Sequence, residues 1–166
     1  GARGLVEMIP NRGVFVQRIT RHDAIEIYEV RAGLFGTACR LLAERIDRAT
    51  LSDLRALHAR MDAIAERRDL DAYYPVNIEF HTLIVSSAGN TTLAETYERM
   101  VSRLHLYRAR GLVHGGGFEK SNIEHGRIMA ALDARDPTAA FEAGYDHVQQ
   151  GKARTVLTPD TGVGDR

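Results

Sequence analysis

Thr50-Leu51-Ser52-Asp53-Leu54-Arg55-Ala56-Leu57-His58-Ala59-Arg60-Met61-Asp62-Ala63-Ile64 is the stretch whose reading decides the fold class. Leu51, Leu54, Leu57, Met61 and Ile64 return every three or four residues, which is the repeat of one face of an α-helix. Thr50 with Asp53 three residues on is a capping-box start signal. Such a stripe is stable only when other elements cover it, and both flanks supply helices. On the N-terminal side, Thr20 and Asp23 repeat the start signal and open a segment in which Ile27, Leu34, Ala38, Leu41 and Leu42 fall at helical spacing, to about Ile46. On the C-terminal side a third helix runs from about Asp69 to Ala88, with Pro75 starting or kinking it and Gly89 as its stop. Leu93, Tyr97, Met100, Leu104 and Tyr107 step along a fourth helix that ends at Gly111. Gly115, Gly116 and Gly117 then read as a flexible loop. A fifth helix carries His125, Ile128 and Leu132 on one face. Asp136-Pro137, a cap and a proline at the first helical position, opens a sixth. In that sixth helix Ala140, Gly144 and His147 share a face whose small side chains leave room beside the imidazole.

Composition fits one soluble domain with one core: 166 residues, 44% hydrophobic and 7% aromatic. The 22 basic and 22 acidic residues balance, so the chain exerts no bulk electrostatic pull on nucleic acid, and any DNA contact is local. Lys120 and Lys152 are the only lysines, leaving arginine as the dominant cation, a fork that grips carboxylates and stays charged when buried. A single cysteine, Cys39, excludes an intramolecular disulfide and accords with a reducing cytoplasm. No apolar run has the length of a membrane span, and no signal peptide is visible, so no membrane partner is expected.

Residues 1–19 differ from the rest. Leu5 to Met8, then Pro10-Asn11-Arg12-Gly13, then Val14-Phe15-Val16 read as two short strands about a turn. A hairpin alone is unstable, so it reads as the end of a domain whose earlier part lies outside this sequence. The tail 158–166 reads as disordered.

The chemistry sits in the later helices. Asn77 and His81 are four residues apart and therefore stand on one helix face, and His125 and His147 occupy core-facing positions on two other helices. In a bundle these four can close one cage. Three imidazoles and an oxygen suit zinc best, with nickel or manganese as further candidates, and leave a position open for a small acid. His22, His58, His105 and His114 show no such agreement and read as surface or packing residues.

Gly4-Leu5-Val6 through Pro10-Asn11-Arg12-Gly13-Val14-Phe15-Val16 resembles the wing of a GntR-type winged helix-turn-helix. The remainder resembles the FCD effector domain of the FadR subfamily. The motifs that carry this are Tyr28-Glu29-Val30-Arg31, Asn77-x-x-Phe80-His81 followed by Ala88-Gly89-Asn90, Glu124-His125-x-x-Ile128-x-x-Ala131-Leu132-x-x-x-Asp136, and Ala139-Ala140 leading to His147. Together they span residues 4 to 150 in order. The resemblance implies an all-α, six- or seven-helix antiparallel bundle over 20–157, preceded by a wing remnant and linker over 1–19. It implies metal binding at Asn77, His81, His125 and His147, a small organic acid as effector, and a cytoplasmic homodimer that reaches operator DNA through its N-terminal domain. Arg31 matches a family arginine able to hold the acid's carboxylate, and Arg103 is a second effector candidate by position. Arg12 and Gly13 at the hairpin turn are the candidate DNA contacts. Two positions depart from the usual pattern: Asn77 stands where an aspartate is common, and Leu34-Phe35 where an apolar residue followed by glutamate is frequent. An amide oxygen is a neutral ligand, so the cage brings no negative charge of its own, and an anionic effector would supply it.

A different class of function uses the same residues. A small metal-dependent hydrolase or isomerase also needs three imidazoles and an open position, together with a general base. Glu79 points away from His81 on its helix and Glu124 lies beside His125, so neither is well placed for that task. A purely structural helical dimer with unfilled histidines is the third reading.

Overall fold

Local capping chemistry sets where the helices begin. The computed structural model of the chain describes residues 6–9, 13–16, 20–104, 112 and 117–156. Helix α1 spans Arg21–Arg45, with Thr20 and Asp23 forming a full capping box and Ile46 closing the end. Helix α2 spans Arg48–Glu66. Its cap is Asp47, whose carboxylate accepts from the Thr50 N–H at 2.7 Å, so the helix starts about one turn before the Thr50-Asp53 signal. Asp47 satisfies an orphan N–H of the first turn, and Thr50 is thereby a helical residue rather than the cap. Helix α3 spans Leu70–Ser87 from an Asp69 cap, and Pro75 lies inside it. Pro75 stands past the first turn, where the Tyr73 N–H already bonds to the Asp69 carbonyl at 3.0 Å, so it removes one donor from the ladder and the helix continues through it.

Helix α4 spans Thr91–Val101 from an Asn90 cap and passes into a single 3₁₀ turn, Ser102–Leu104. The expected run to Gly111 therefore breaks at Val101. The Ser102 hydroxyl donates to the Arg99 carbonyl at 3.0 Å, a local bond that competes with the helical ladder, while Leu104 keeps its place in the core. Helix α5 spans Gly117–Asp133, so Gly117 is a helical residue and not part of a loop. Helix α6 spans Pro137–Val156, and Asp136 accepts from the N–H groups of Thr138 and Ala139, both at 3.0 Å.

The described residues thus form an all-α bundle of six helices, none long and apolar enough to cross a membrane. The most extensive contact is α1 with α6, followed by α2 with α3 and α5 with α6. Tyr28, Phe35, Leu42, Leu54, Met61, Tyr73, Phe80, Ile84, Ile128 and Leu132 fill the core. The α1–α6 contact is close because of two glycines. A Cβ on Gly36 would stand 2.9 Å from the Phe141 carbonyl oxygen, and one on Gly144 would stand 2.6 Å from Cys39 Sγ. Gly144 of α6 therefore admits a neighbouring helix and not a ligand, which corrects its reading as cavity space. Cys39 is buried in this seam, and burial raises its thiol pKa well above the usual range.

Separately, Val6–Ile9 and Gly13–Val16 pair antiparallel as strands β1 and β2, with Val6 opposite Val16 and Ile9 opposite Gly13. Gly13 thus opens β2. Arg12, His105, His114 and the 158–166 tail lie outside the described residues.

Candidate metal centre and anion cavity

His81 comes from the middle of α3, His125 from α5 and His147 from α6, all three buried. Their Nε2 atoms face one another: His81 to His125 is 3.3 Å and His81 to His147 is 3.1 Å. One ligand atom from each lies within 4.8 Å of the others. Two imidazole nitrogens about 2.0–2.1 Å from one ion, at angles of about 90–110°, stand about 2.9–3.4 Å apart, so the spacing suits a shared cation. Asn77, one helical turn before His81, is also buried, and its Oδ1 has no hydrogen-bond partner among the described residues. A buried amide oxygen without a donor is costly unless something else satisfies it. Orphaned oxygen and convergent imidazoles together fit a metal ion.

Aromatic rings back the histidines. The Phe35 ring centroid is 4.6 Å from that of His81, and Phe80 is 4.7 Å from His125. These apolar walls exclude water and lower the local dielectric, which strengthens interactions between the site and a charged guest. Phe35, one of the two departures from the family pattern, therefore packs directly on the trio.

His147 Nδ1 lies 2.9 Å from Glu124 Oε2, and Arg154 closes on the same carboxylate through Nη1 to Oε1 at 2.6 Å and Nη2 to Oε2 at 2.9 Å. Burial pushes the Glu124 carboxyl up, but the bonds from His147 and Arg154 outweigh it and hold the group below the usual carboxylate range. Burial likewise depresses His147, and the Glu124 bond offsets only part of that. Neutral imidazole beside ionised carboxylate is the state these environments favour.

Beside the trio opens a small cavity of about 40 Å³, lined by Tyr28 and Arg31 of α1, Asn77 and His81 of α3, Ser121 of α5, and His147, Arg154 and Thr155 of α6, among others. Arg31 is 4% exposed and has no carboxylate partner among the described residues. Its Nε donates to the Tyr97 hydroxyl at 3.2 Å, and its guanidinium carbon lies 5.6 Å from the ring centres of both Tyr28 and Tyr97. Two aromatic faces steady the cation without neutralising it. An anion in the cavity would complete the pairing of this buried charge.

The structure thus brings together Asn77, His81, His125, His147 and Arg31. It does not bring Arg103 to the cavity wall. Arg103 lies in the 3₁₀ turn, and its charge acts on Asp23, whose carboxyl is held low first by the Thr20 backbone N–H. His58 is a packing residue beside the Asn122 carbonyl, and His22 is exposed beside Glu26. Sequence reading missed Arg154, and it weighed Glu124 only as a catalytic base. No local pattern links Glu124 to Arg154 or His147, because the three meet only after α5 packs on α6. Glu79 is exposed and near Arg60.

The family model named FCD domain matches residues 26–150. Among curated proteins, the chain is 26% identical over 148 residues to the HTH-type transcriptional repressor RspR of Escherichia coli K12, covering 89% of this chain and 64% of that protein. It is 34% identical over 90 residues, 52% of each chain, to an HTH-type transcriptional regulator of the TAR-I ttuE-ttuC' intergenic region of Agrobacterium vitis. The chain thus spans less than two thirds of the length of the first of these relatives. Among solved structures, E. coli McbR/YncC superposes with a TM-score of 0.80 at 20% identity, over 93% of this chain and 77% of that one. The metal-free FCD domain of TM0439 superposes at 0.66 with 18% identity, over 84% of this chain and 96% of that one. The bundle shares its fold with these solved structures, and the chain belongs to the FCD domain family.

Proposed function

We propose that the chain is the effector-sensing and dimerising part of a GntR/FadR-type transcriptional regulator. Asn77, His81, His125 and His147 hold a divalent metal, zinc being the best match to their nitrogen-rich donor set, with nickel or manganese next. Such an ion supplies a Lewis-acidic position for one carboxylate oxygen. Arg31 holds the other end of a small organic acid's charge. The observation that carries this reading is the approach of His81 Nε2 to the Nε2 atoms of His125 and His147, at 3.3 and 3.1 Å, beside an Asn77 oxygen without a donor and an arginine without a counter-ion among the described residues.

Sensing needs only that the acid bind one of two arrangements of a dimer better, by about 1–3 kcal/mol. A two-fold dimer matches a symmetric operator, which the N-terminal wing, with Arg12 and Gly13 at its turn, would contact. The curated relatives support this because they are named as transcriptional regulators. A hydrolase reading finds no support in the site, since Glu124 is engaged by both Arg154 and His147 and is not free to take a proton from water.

Elemental analysis of protein purified without an immobilised-metal column tests the centre. His81→Ala is expected to lose bound metal and to melt at a lower temperature, with the difference vanishing in chelator, because a ligand that binds only the folded state stabilises it. Unchanged metal stoichiometry in that variant removes His81 from the centre. Calorimetric titration of the metal-loaded chain with small mono- and dicarboxylates tests the acid, and Arg31→Gln should abolish any heat that the parent gives.

A further inference from the structure

We infer that Glu124, clamped by Arg154, is a positioning residue that fixes the tautomer of His147 and so turns that residue's bare Nε2 lone pair toward His81. The inference deepens the metal-centre reading and rests on it for its purpose, though not for its geometry. An ionised carboxylate has no proton to give, so the 2.9 Å contact between Glu124 Oε2 and His147 Nδ1 requires Nδ1 to be the donor. A neutral imidazole carries one N–H only, and with Nδ1 protonated the other nitrogen is an acceptor. That other nitrogen, Nε2, is the one 3.1 Å from His81 Nε2.

Arg154 makes the orientation rigid. Its two terminal nitrogens engage both carboxylate oxygens, Nη1 to Oε1 and Nη2 to Oε2, leaving Glu124 little freedom to turn away. All three side chains are largely buried, at 6% exposure for His147, 11% for Glu124 and 14% for Arg154. Water therefore competes poorly for Nδ1. The sequence adjacency of Glu124 and His125 gains a physical meaning: successive residues of α5 serve two different histidines, one by carrying the imidazole and the other by aligning it from behind. Arg154 also lines the cavity, so the same fork that steadies Glu124 forms part of the wall that a guest meets.

The test uses the 166-residue chain stripped of metal by chelator, labelled with nitrogen-15 in its histidines and observed by long-range proton–nitrogen correlation at pH 7.5, with His147→Gln identifying the His147 signals. The parent should show His147 with a protonated Nδ1 and a bare Nε2. Glu124→Gln should shift it toward a mixture of tautomers and weaken zinc affinity, read by competition with a chromophoric chelator, by about 10–100-fold. Glu124→Gln leaves Arg154 without its counter-charge, so Glu124→Gln/Arg154→Gln serves as the partner variant should the single one fail to fold, with the same two changes expected. A parent His147 protonated at Nε2, or a folded variant that keeps both the parental tautomer and the parental zinc affinity, overturns the inference. Failure of the parent to bind zinc sinks the metal centre instead, and the tautomer measurement on metal-free protein distinguishes the two failures.

Discussion

At the residue scale the sharpest departure is Asn77. It puts a neutral oxygen where a carboxylate would bring charge, next to a cavity that already holds the cation Arg31. Asn77→Asp is expected to tighten zinc binding by about tenfold or more, equivalent to about 1.4 kcal/mol, and to weaken acid binding, because the new carboxylate takes over the anion's task. Chelator competition and calorimetric titration check the two halves, and equal acid affinity in both proteins would separate the acid from the missing charge. The pairing of Asn77 with His81 was legible in the sequence because i, i+4 spacing reports a shared helix face directly, and His125 and His147 were legible as core-facing positions on two other helices. Glu124 and Arg154 were not, since their role depends on which face of α6 meets α5, and spacing along the chain carries no information about that. Arg103 shows the converse: it lies in the 3₁₀ turn that follows α4 at Ser102, and the change of helix geometry there takes its side chain off the line of the α4 face.

Elements begin where side-chain oxygens satisfy backbone N–H groups, which is why Thr20, Asp69 and Asp136 could be read in advance. Two possible starts fell within one turn at α2, and the cap is the residue whose side chain reaches the orphan donors, Asp47. Helix ends carry a testable strain. Arg135 ends α5 at φ 51°, and the Asp136 N–H returns to the Ala131 carbonyl at 3.0 Å, the six-to-one bond of a Schellman ending. A residue with a Cβ is disfavoured in that left-handed conformation by about 1–2 kcal/mol relative to glycine. Arg135→Gly should accordingly stabilise the chain by about 1 kcal/mol once the greater freedom of glycine in the unfolded chain is counted, measurable by urea denaturation. Within α1 two glycines make opposite predictions. Gly33 has open space around a built Cβ, so Gly33→Ala should stabilise by up to about 1 kcal/mol through helix propensity. Gly36 faces a backbone oxygen that cannot turn aside, so the overpacking cost of about 1–3 kcal/mol should exceed that gain in Gly36→Ala. Equal melting of the two variants would mean that α1 and α6 can separate without cost.

On the scale of the whole molecule, one ion tied to α3, α5 and α6 at once should act as a cross-link of the bundle. Zinc at about 100 times its dissociation constant is worth about 2.7 kcal/mol, which in a domain of this size raises Tm by about 5–10 °C. Differential scanning calorimetry with and without chelator reads this directly, and a Tm indifferent to zinc would leave the centre without a structural role. The all-α class was legible because apolar residues recur at helical intervals from Ile27 to Leu132, a signal repeated often enough to survive errors at single boundaries. The use of the small residues on α6 was not: a glycine in a helix permits either a void or a close neighbour, and only the partner decides between them. Here the neighbour is α1, seated so tightly at Gly36 and Gly144 that not even a methyl group fits between. Arg31 lies somewhat more than a turn before Gly36, and His147 just under a turn past Gly144, so the two walls they furnish cannot slide independently. Anything that pushed on one of these walls would meet two helices locked into a single rigid pair.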